Sequence, residues 1–330
     1  MRLLFQKLRR RIARTRPRPA ILMYHRIASP PVDPWGLAVR PDRFEQHLAV
    51  LRRTRDPLPM SEFVRRLDRG TLPATAVAVT FDDGYVDNLR EASPRLASAR
   101  VPATLFLVTG FVGQPHEYWW DELARGILLR TRALDTEVTI GQERFQLVLR
   151  EDDERDSGWR AWQEPRTDRQ SAYLAAWKHL RTAAPVEREG AMRRLRTELE
   201  IPPPAPEDLP MDAGEVAALA RGGGFEFGGH TSTHAVLTDL APAARRDDIR
   251  KGREACERLI GGAITGFAYP HGALDDDSQA AVSECGFAWA CGTSSRAVRS
   301  RGANRYALPR LGVLDWDGAA FERALQGLRV

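Results

Sequence analysis

Three observations predict an α/β protein built around parallel strands. Short apolar runs with the character of buried strands alternate with stretches of helical spacing. Seven such runs are counted from Ile21 onward. The residue clusters able to do chemistry fall where these runs end, which is where α/β barrels carry their active-site loops.

The first run, Ala20-Ile-Leu-Met-Tyr24, ends at His25. Helical spacing follows over residues 44–55 and again over 61–69, the two parted by Pro57 and Pro59. Residues 76–81 read as the next strand and run into Asp82-Asp83-Gly84; a helix over 88–99 then leads to a strand over 103–110. Residues 113–210 break the rhythm. They predict an apolar helix near 119–129, a hairpin of 137–140 with 144–149, and two charged helices near 167–181 and 187–200. This stretch is expected to be an insertion packed on one face. The strand–helix pattern resumes at Phe225–Gly229 and continues through 263–269, 286–291 and 306–313.

With 330 residues, 43% of them hydrophobic, the chain can bury a large core without disulfides or metal. No apolar run approaches the eighteen or so residues needed to span a bilayer. Cys256, Cys285 and Cys291 are odd in number and contain no C-x-x-C pair, which fits a reducing compartment. The net charge is +5, yet residues 1–20 alone carry eight basic side chains and no acid, leaving −3 for the rest. A nucleic-acid-binding surface spread over the fold is therefore not expected.

Residues 1–19 form a basic leader. Its only apolar run, Leu3-Leu4-Phe5, precedes most of the arginines, so the pattern is not that of a secretory signal, and a cytoplasmic location is expected. Met1, Leu4, Phe5, Leu8 and Ile12 share one helical arc among the basic residues. Two readings fit: a helix lying on an anionic membrane at the inner face through residues 1–18, or a solvated leader.

Three clusters carry the chemistry. In Thr80-Phe81-Asp82-Asp83-Gly84, adjacent carboxylates at a strand end point in different directions, so one can hold a metal while the other handles protons; a plain turn has the same composition. In His230-Thr-Ser-Thr-His234, two imidazoles four apart share a face if the segment turns helically, and imidazole suits zinc; two unrelated surface histidines would look alike. With Asp83 they make a His-His-Asp set that leaves a position open for water. Phe267-Ala-Tyr-Pro-His-Gly272 places a fixed bend at a strand end, where the backbone N–H of His271 could be exposed.

These motifs, in this order, resemble the polysaccharide deacetylase family, also called the NodB-homology or carbohydrate esterase 4 family. The resemblance covers about residues 20–112 and 211–315. It implies a deformed (β/α)7 barrel over residues 20–330, with the insertion at 113–210, that binds a divalent metal and hydrolyses N-acetyl groups on sugars. It implies Asp82 as general base, Asp83, His230 and His234 as metal ligands, and the His271 backbone N–H as an oxyanion donor. The sequence departs from the pattern twice: Ala268 stands where most members have arginine, and no histidine follows His271. Tyr24-His25-Arg26 resembles the N-terminal Tyr-His of a circularly permuted branch, so His25 inherits the role of acid and Arg310 that of orienting the base.

The expected function is thus metal-dependent removal of N-acetyl groups from a glycan or lipid-linked saccharide in cell-surface biosynthesis. Zinc is the expected metal, with cobalt, nickel or manganese able to use the same ligands. O-acetyl ester hydrolysis, deformylation of a lipid-linked sugar, or glycan binding without catalysis are the alternatives. Tyr269, Trp119, Trp120 and Trp289 are the candidate sugar contacts. Trp119 and Trp120 are adjacent on a helix and cannot share a face, so at most one of them stacks on a sugar.

Overall fold

The computed structural model describes residues 17–140, 143–150 and 158–330. The leader expected at 1–19 lies almost wholly outside them. Seven parallel strands form the main sheet: β1 (Ala20–Tyr24), β2 (Ala76–Asp83), β3 (Ala103–Leu107), β4 (Phe225–Gly229), β5 (Gly266–Ala268), β6 (Trp289–Cys291) and β7 (Leu311–Gly312). Their order is β6-β5-β4-β3-β2-β1-β7, and a two-residue strand, Asp56–Pro57, pairs beside the start of β2. The segment entering β7 also bridges β6: Leu308 N–H donates to Ala290 O and Gly292 N–H to Leu308 O, each at 2.9 Å. A sheet curled in this way, ringed by helices, is the deformed (β/α)7 barrel expected from the sequence.

All eight residues of β2 are buried, as in a strand covered on both faces. Alternation sorts its side chains. Val77, Val79 and Phe81 join the outer core under the helices, while Ala76 and Ala78 face the barrel interior with Ile21, Phe106 and Ala268. The small inward residues leave room for Trp289, whose ring meets Phe106 edge-on at 5.9 Å. Met60, Phe63, Val64 and Leu67 of the helix Met60–Asp68 complete this interior cluster.

The insertion carries the expected helix Trp119–Leu128, the hairpin Leu134–Ile140 with Glu143–Leu149, and the helices Asp168–Thr182 and Pro185–Glu198. They bury a second core of their own that includes Leu123, Ile127, Leu147, Tyr173 and Leu195. Trp35 and Leu37, from the loop after β1, pack against it.

Gly266 has no side chain because Trp289 occupies the space: a Cβ there would lie 2.1 Å from the indole. Gly266→Ala should therefore lower unfolding stability by about 1–3 kcal/mol through overpacking. Urea denaturation checks this, and a smaller pairing residue in Trp289→Phe should recover part of the loss.

Candidate active site

The C-terminal ends of the strands surround a cavity of about 440 Å³. Asp82 and Asp83 reach it from β2, His25 from the end of β1, His230 and His234 from beyond β4, and His271 from beyond β5. In an unbroken strand Asp82 and Asp83 would face opposite sides. Asp83 instead takes φ 74°, which turns its carboxylate into the same cavity. Gly84 continues the turn at φ 104°, with Leu107 where a Cβ would sit.

Asp82 is gripped by Arg310. Nη1 donates to Oδ1 at 2.6 Å and Nη2 to Oδ2 at 2.7 Å. Arg310 is fully buried, and its remaining hydrogen bonds go to Thr80 Oγ1 and the Gly292 carbonyl. Burial alone would raise the Asp82 pKa, but the charges of Arg310 and His230 and the paired hydrogen bonds outweigh it, so Asp82 stays below the usual carboxylate value.

Asp83 lies among acceptors. Its Oδ1 is 3.6 Å from His230 Nε2 and 3.4 Å from His234 Nε2. His230 Nδ1 is 2.7 Å from the Ala268 carbonyl, which can only accept, so the ring proton resides on Nδ1 and the lone pair of Nε2 faces Asp83. Asp83 Oδ1 is buried with no hydrogen-bond partner among the described residues. Burial, then the charges of Asp82 and Asp121, push its pKa well up. Burial pushes both histidines down, His234 also through the neighbouring His271 and His230. Three ligand atoms that converge within 4.8 Å of one another fit a divalent cation.

The His230–His234 segment is not helical, contrary to the sequence reading. Thr231 and His234 take φ 65° and 53°, and the loop is tied down by Asp248. That carboxylate accepts from Ser232 N at 3.1 Å, Thr233 N at 3.0 Å and Thr233 Oγ1 at 3.0 Å. Tyr118 likewise donates its hydroxyl to the Asp83 carbonyl at 2.9 Å. Neither support was evident from motif spacing.

His25 lines the cavity, and burial, partly opposed by Asp82, lowers its pKa to about 4. His271 turns at φ 56°, and its ring stands 4.6 Å from that of His234, outside the Asp83–His230–His234 triad. Burial and the charges of Arg181 and Arg188 bring its pKa to about 3.

The candidate sugar contacts divide. Trp120 lines the cavity, 4.8 Å from the His234 ring; its Nε1 donates to Tyr85 OH, which donates to Asp121. Trp119 turns away into a smaller cavity of about 260 Å³, beneath Arg188. Tyr269 borders the main cavity, but its hydroxyl is committed to the Tyr306 carbonyl at 2.9 Å. Trp289 does not reach the cavity: as the first residue of β6 it is buried in the barrel interior, at the end away from the site. Trp35, Leu37, Trp177, Arg181 and Thr293 complete the lining and were not singled out in the sequence. Only the i, i+4 spacing of Trp177 and Arg181 on one helix hints at a shared face.

The polysaccharide deacetylase family model matches residues 69–136 and 205–290, which include both aspartates, the three histidines that follow them and the turn at Gly84. The chain carries a polysaccharide deacetylase domain over these residues. YxkH of Bacillus subtilis strain 168, named as a polysaccharide deacetylase, is 33% identical over 121 residues, 35% of this chain and 42% of that protein. The chain thus spans less than half the length of that curated relative. Three solved structures share the fold. The Streptococcus pyogenes deacetylase PplD, in complex with acetate, is 17% identical, with 94% of this chain and 99% of that one covered at a TM-score of 0.59. IcaB from Ammonifex degensii is 16% identical, with 94% and 97% covered and a TM-score of 0.58. A de-N-acetylase from Aggregatibacter actinomycetemcomitans is 12% identical, with 93% and 99% covered and a TM-score of 0.56. The family match excludes His25 and Arg310, whose connection to this polysaccharide deacetylase site rests on their position in the cavity and on the Asp82 pair.

Because the Asp83 pKa in the folded protein lies well above the ordinary carboxylate value, ionising it opposes folding as pH rises through and above that ordinary value. Asp83→Asn should therefore make the chelator-treated protein more stable than wild type at pH 7, the difference shrinking towards pH 4 and below. Urea titrations across that range test this; a difference that grows on acidification contradicts it.

Proposed function

We propose that the protein is a metal-dependent deacetylase that hydrolyses the N-acetyl group of an amino sugar. The observation carrying this reading is the juxtaposition, in one cavity, of an arginine-paired carboxylate with a converging Asp-His-His set. Asp83, His230 and His234 would hold the cation, with zinc the best match to two imidazoles and one carboxylate and cobalt, nickel or manganese as alternatives. When bound, it supplies Lewis-acid polarisation of the acetyl carbonyl and lowers the pKa of water.

The chain's own groups do the rest. Asp82, kept ionised by Arg310, accepts the proton of the attacking water. The His271 backbone N–H, presented by its left-handed turn, donates to the oxygen on which negative charge develops. His25, its pKa lowered to about 4, is neutral at pH 7 in the free site; it takes up a proton from solvent as negative charge builds beside it and passes that proton to the departing amine, and Asp82 releases the water proton to solvent when the products leave. The C–N bond breaks, and acetate and a free amino sugar leave. In this arrangement His25 and Arg310, from the first and last strands, do the work of the acid and base-orienting groups, as in the circularly permuted branch.

We further propose a cytoplasmic setting, with a nucleotide-linked or lipid-linked precursor as substrate and contact with an anionic inner-membrane surface through residues 1–18. Its supports are three cysteines without disulfides and eight basic residues near the start of the sequence. No helix among the described residues is long and apolar enough to cross a membrane.

His234→Ala should lose bound metal and acetate release together. Elemental analysis beside an acetate assay on N-acetylated oligosaccharides tests this, and full turnover by a metal-free variant would refute the mechanism. His25→Ala should lower amide hydrolysis by about 10²–10⁴-fold, the range for a general acid, and hydrolysis of an activated acetate ester far less. Equal losses on the two substrates would remove His25 from the role of acid.

A further inference from the structure

Part of the cavity wall has no task in the chemistry above. Trp35 and Trp177 lie there with ring centroids 4.3 Å apart and planes at 35°. Trp35 Nε1 donates to Tyr173 OH at 2.8 Å, which fixes that indole. One helical turn beyond Trp177, the Arg181 guanidinium sits 5.7 Å from the Trp177 ring centroid and also lines the cavity. All three side chains are only half-buried, so they present surface to whatever enters.

Arg181 differs from its neighbours on the insertion. Arg125 and Arg196 are held by the buried carboxylates of Glu117 and Glu122 at 2.6 and 2.7 Å. Arg181 has no carboxylate partner among the described residues, and it lies over the Trp177 indole face. A guanidinium ordered by stacking, with its donors uncommitted, matches phosphate or carboxylate geometry. The acids of the cavity do not pair with it: Asp82 is held by Arg310, and Asp83 faces the His230 and His234 rings. The cavity volume of about 440 Å³ falls within the usual range for small-molecule sites, about 300–1,000 Å³.

We propose that the cavity takes an anionic saccharide: a sugar stacks on Trp35 and Trp177 while Arg181 pairs with a phosphate or carboxylate close to the acetamido group. The acetamido part rests on the deacetylase reading; the anion part rests on Arg181 alone. The intrinsic tryptophan fluorescence of the full-length, metal-loaded protein is titrated with N-acetylglucosamine, N-acetylglucosamine 1-phosphate and a glucuronyl-N-acetylglucosamine disaccharide. At least one anionic sugar should bind about tenfold or more tightly than the neutral one, as one hydrogen-bonded ion pair provides. Which of them does so separates phosphate from carboxylate. Arg181→Gln should abolish the preference without weakening neutral-sugar binding, and Arg181→Lys should retain much of it. Equal binding of all three sugars by wild type, or a preference that survives Arg181→Gln, would overturn the proposal. Acetate release is followed in parallel. A binding preference without acetate release from any probe would tell against the deacetylase reading while supporting the anion site.

Discussion

The buried pair between Arg310 and Asp82 is the interaction on which the rest of this structure turns. Removing two charges from water costs several kcal/mol each unless hydrogen bonds and geometry offset it. Here they do: both carboxylate oxygens are bonded to the guanidinium, which also donates to Thr80 and Gly292 and lies 5.3 Å from the Phe106 ring centroid. Arg310 thereby ties the approach to β7 to β2 and to the end of β6, across the seam that backbone hydrogen bonds of Ala290 and Gly292 with Arg305 and Leu308 also bridge. One side chain both closes the barrel and fixes the charge of the proposed base.

That fixed charge helps determine what happens next door. Burial first, and then the charge of the ionised Asp82 beside it, push the Asp83 pKa well up. His230 cannot relieve it, because its proton is committed to the Ala268 carbonyl. The electrostatics therefore call for a cation where the two histidines and Asp83 converge. The backbone is shaped to the same end. Of the six described non-glycine residues at positive φ, four are Asp83, Thr231, His234 and His271, all at this site. Each such residue costs of the order of 1–3 kcal/mol, and the anchors provided by Asp248 and Tyr118 help hold two of these turns in place.

The strands were legible because parallel strands buried on both faces read as continuous apolar runs, and Ala20–Tyr24 and Phe225–Gly229 coincide with their expected bounds. The runs at 263–269 and 306–313 shorten to Gly266–Ala268 and Leu311–Gly312, because apolar composition marks burial and does not mark where ladder hydrogen bonds stop. The His-x-x-x-His spacing pointed to two histidines that the structure does place around Asp83, but not through a helical turn, since left-handed turns held by a carboxylate fourteen positions beyond His234 leave no periodic trace. Trp289 shows the opposite failure: an aromatic near a strand-end motif looks like a sugar contact until Gly266 reveals the space it fills. The departure at Ala268 also acquires a physical account. Its side chain lies in the barrel interior, and the guanidinium beside Asp82 arrives from Arg310 instead.

Chemistry and selectivity come from different parts of the chain. The proposed base, the proposed cation ligands and the left-handed turns all belong to the barrel, where a small displacement would break a pair of hydrogen bonds or the convergence of the Asp-His-His set. Trp120, Trp177 and Arg181 come from the insertion, whose core is separate and whose contribution to the cavity is a wall of rings and one guanidinium. Such a wall can change shape and charge without disturbing Asp82 or Asp83. On the proposed reading, barrel motifs point to the bond to be broken, whereas the choice of sugar rests with residues that carry no motif and is read from which side chains are left uncommitted around the cavity.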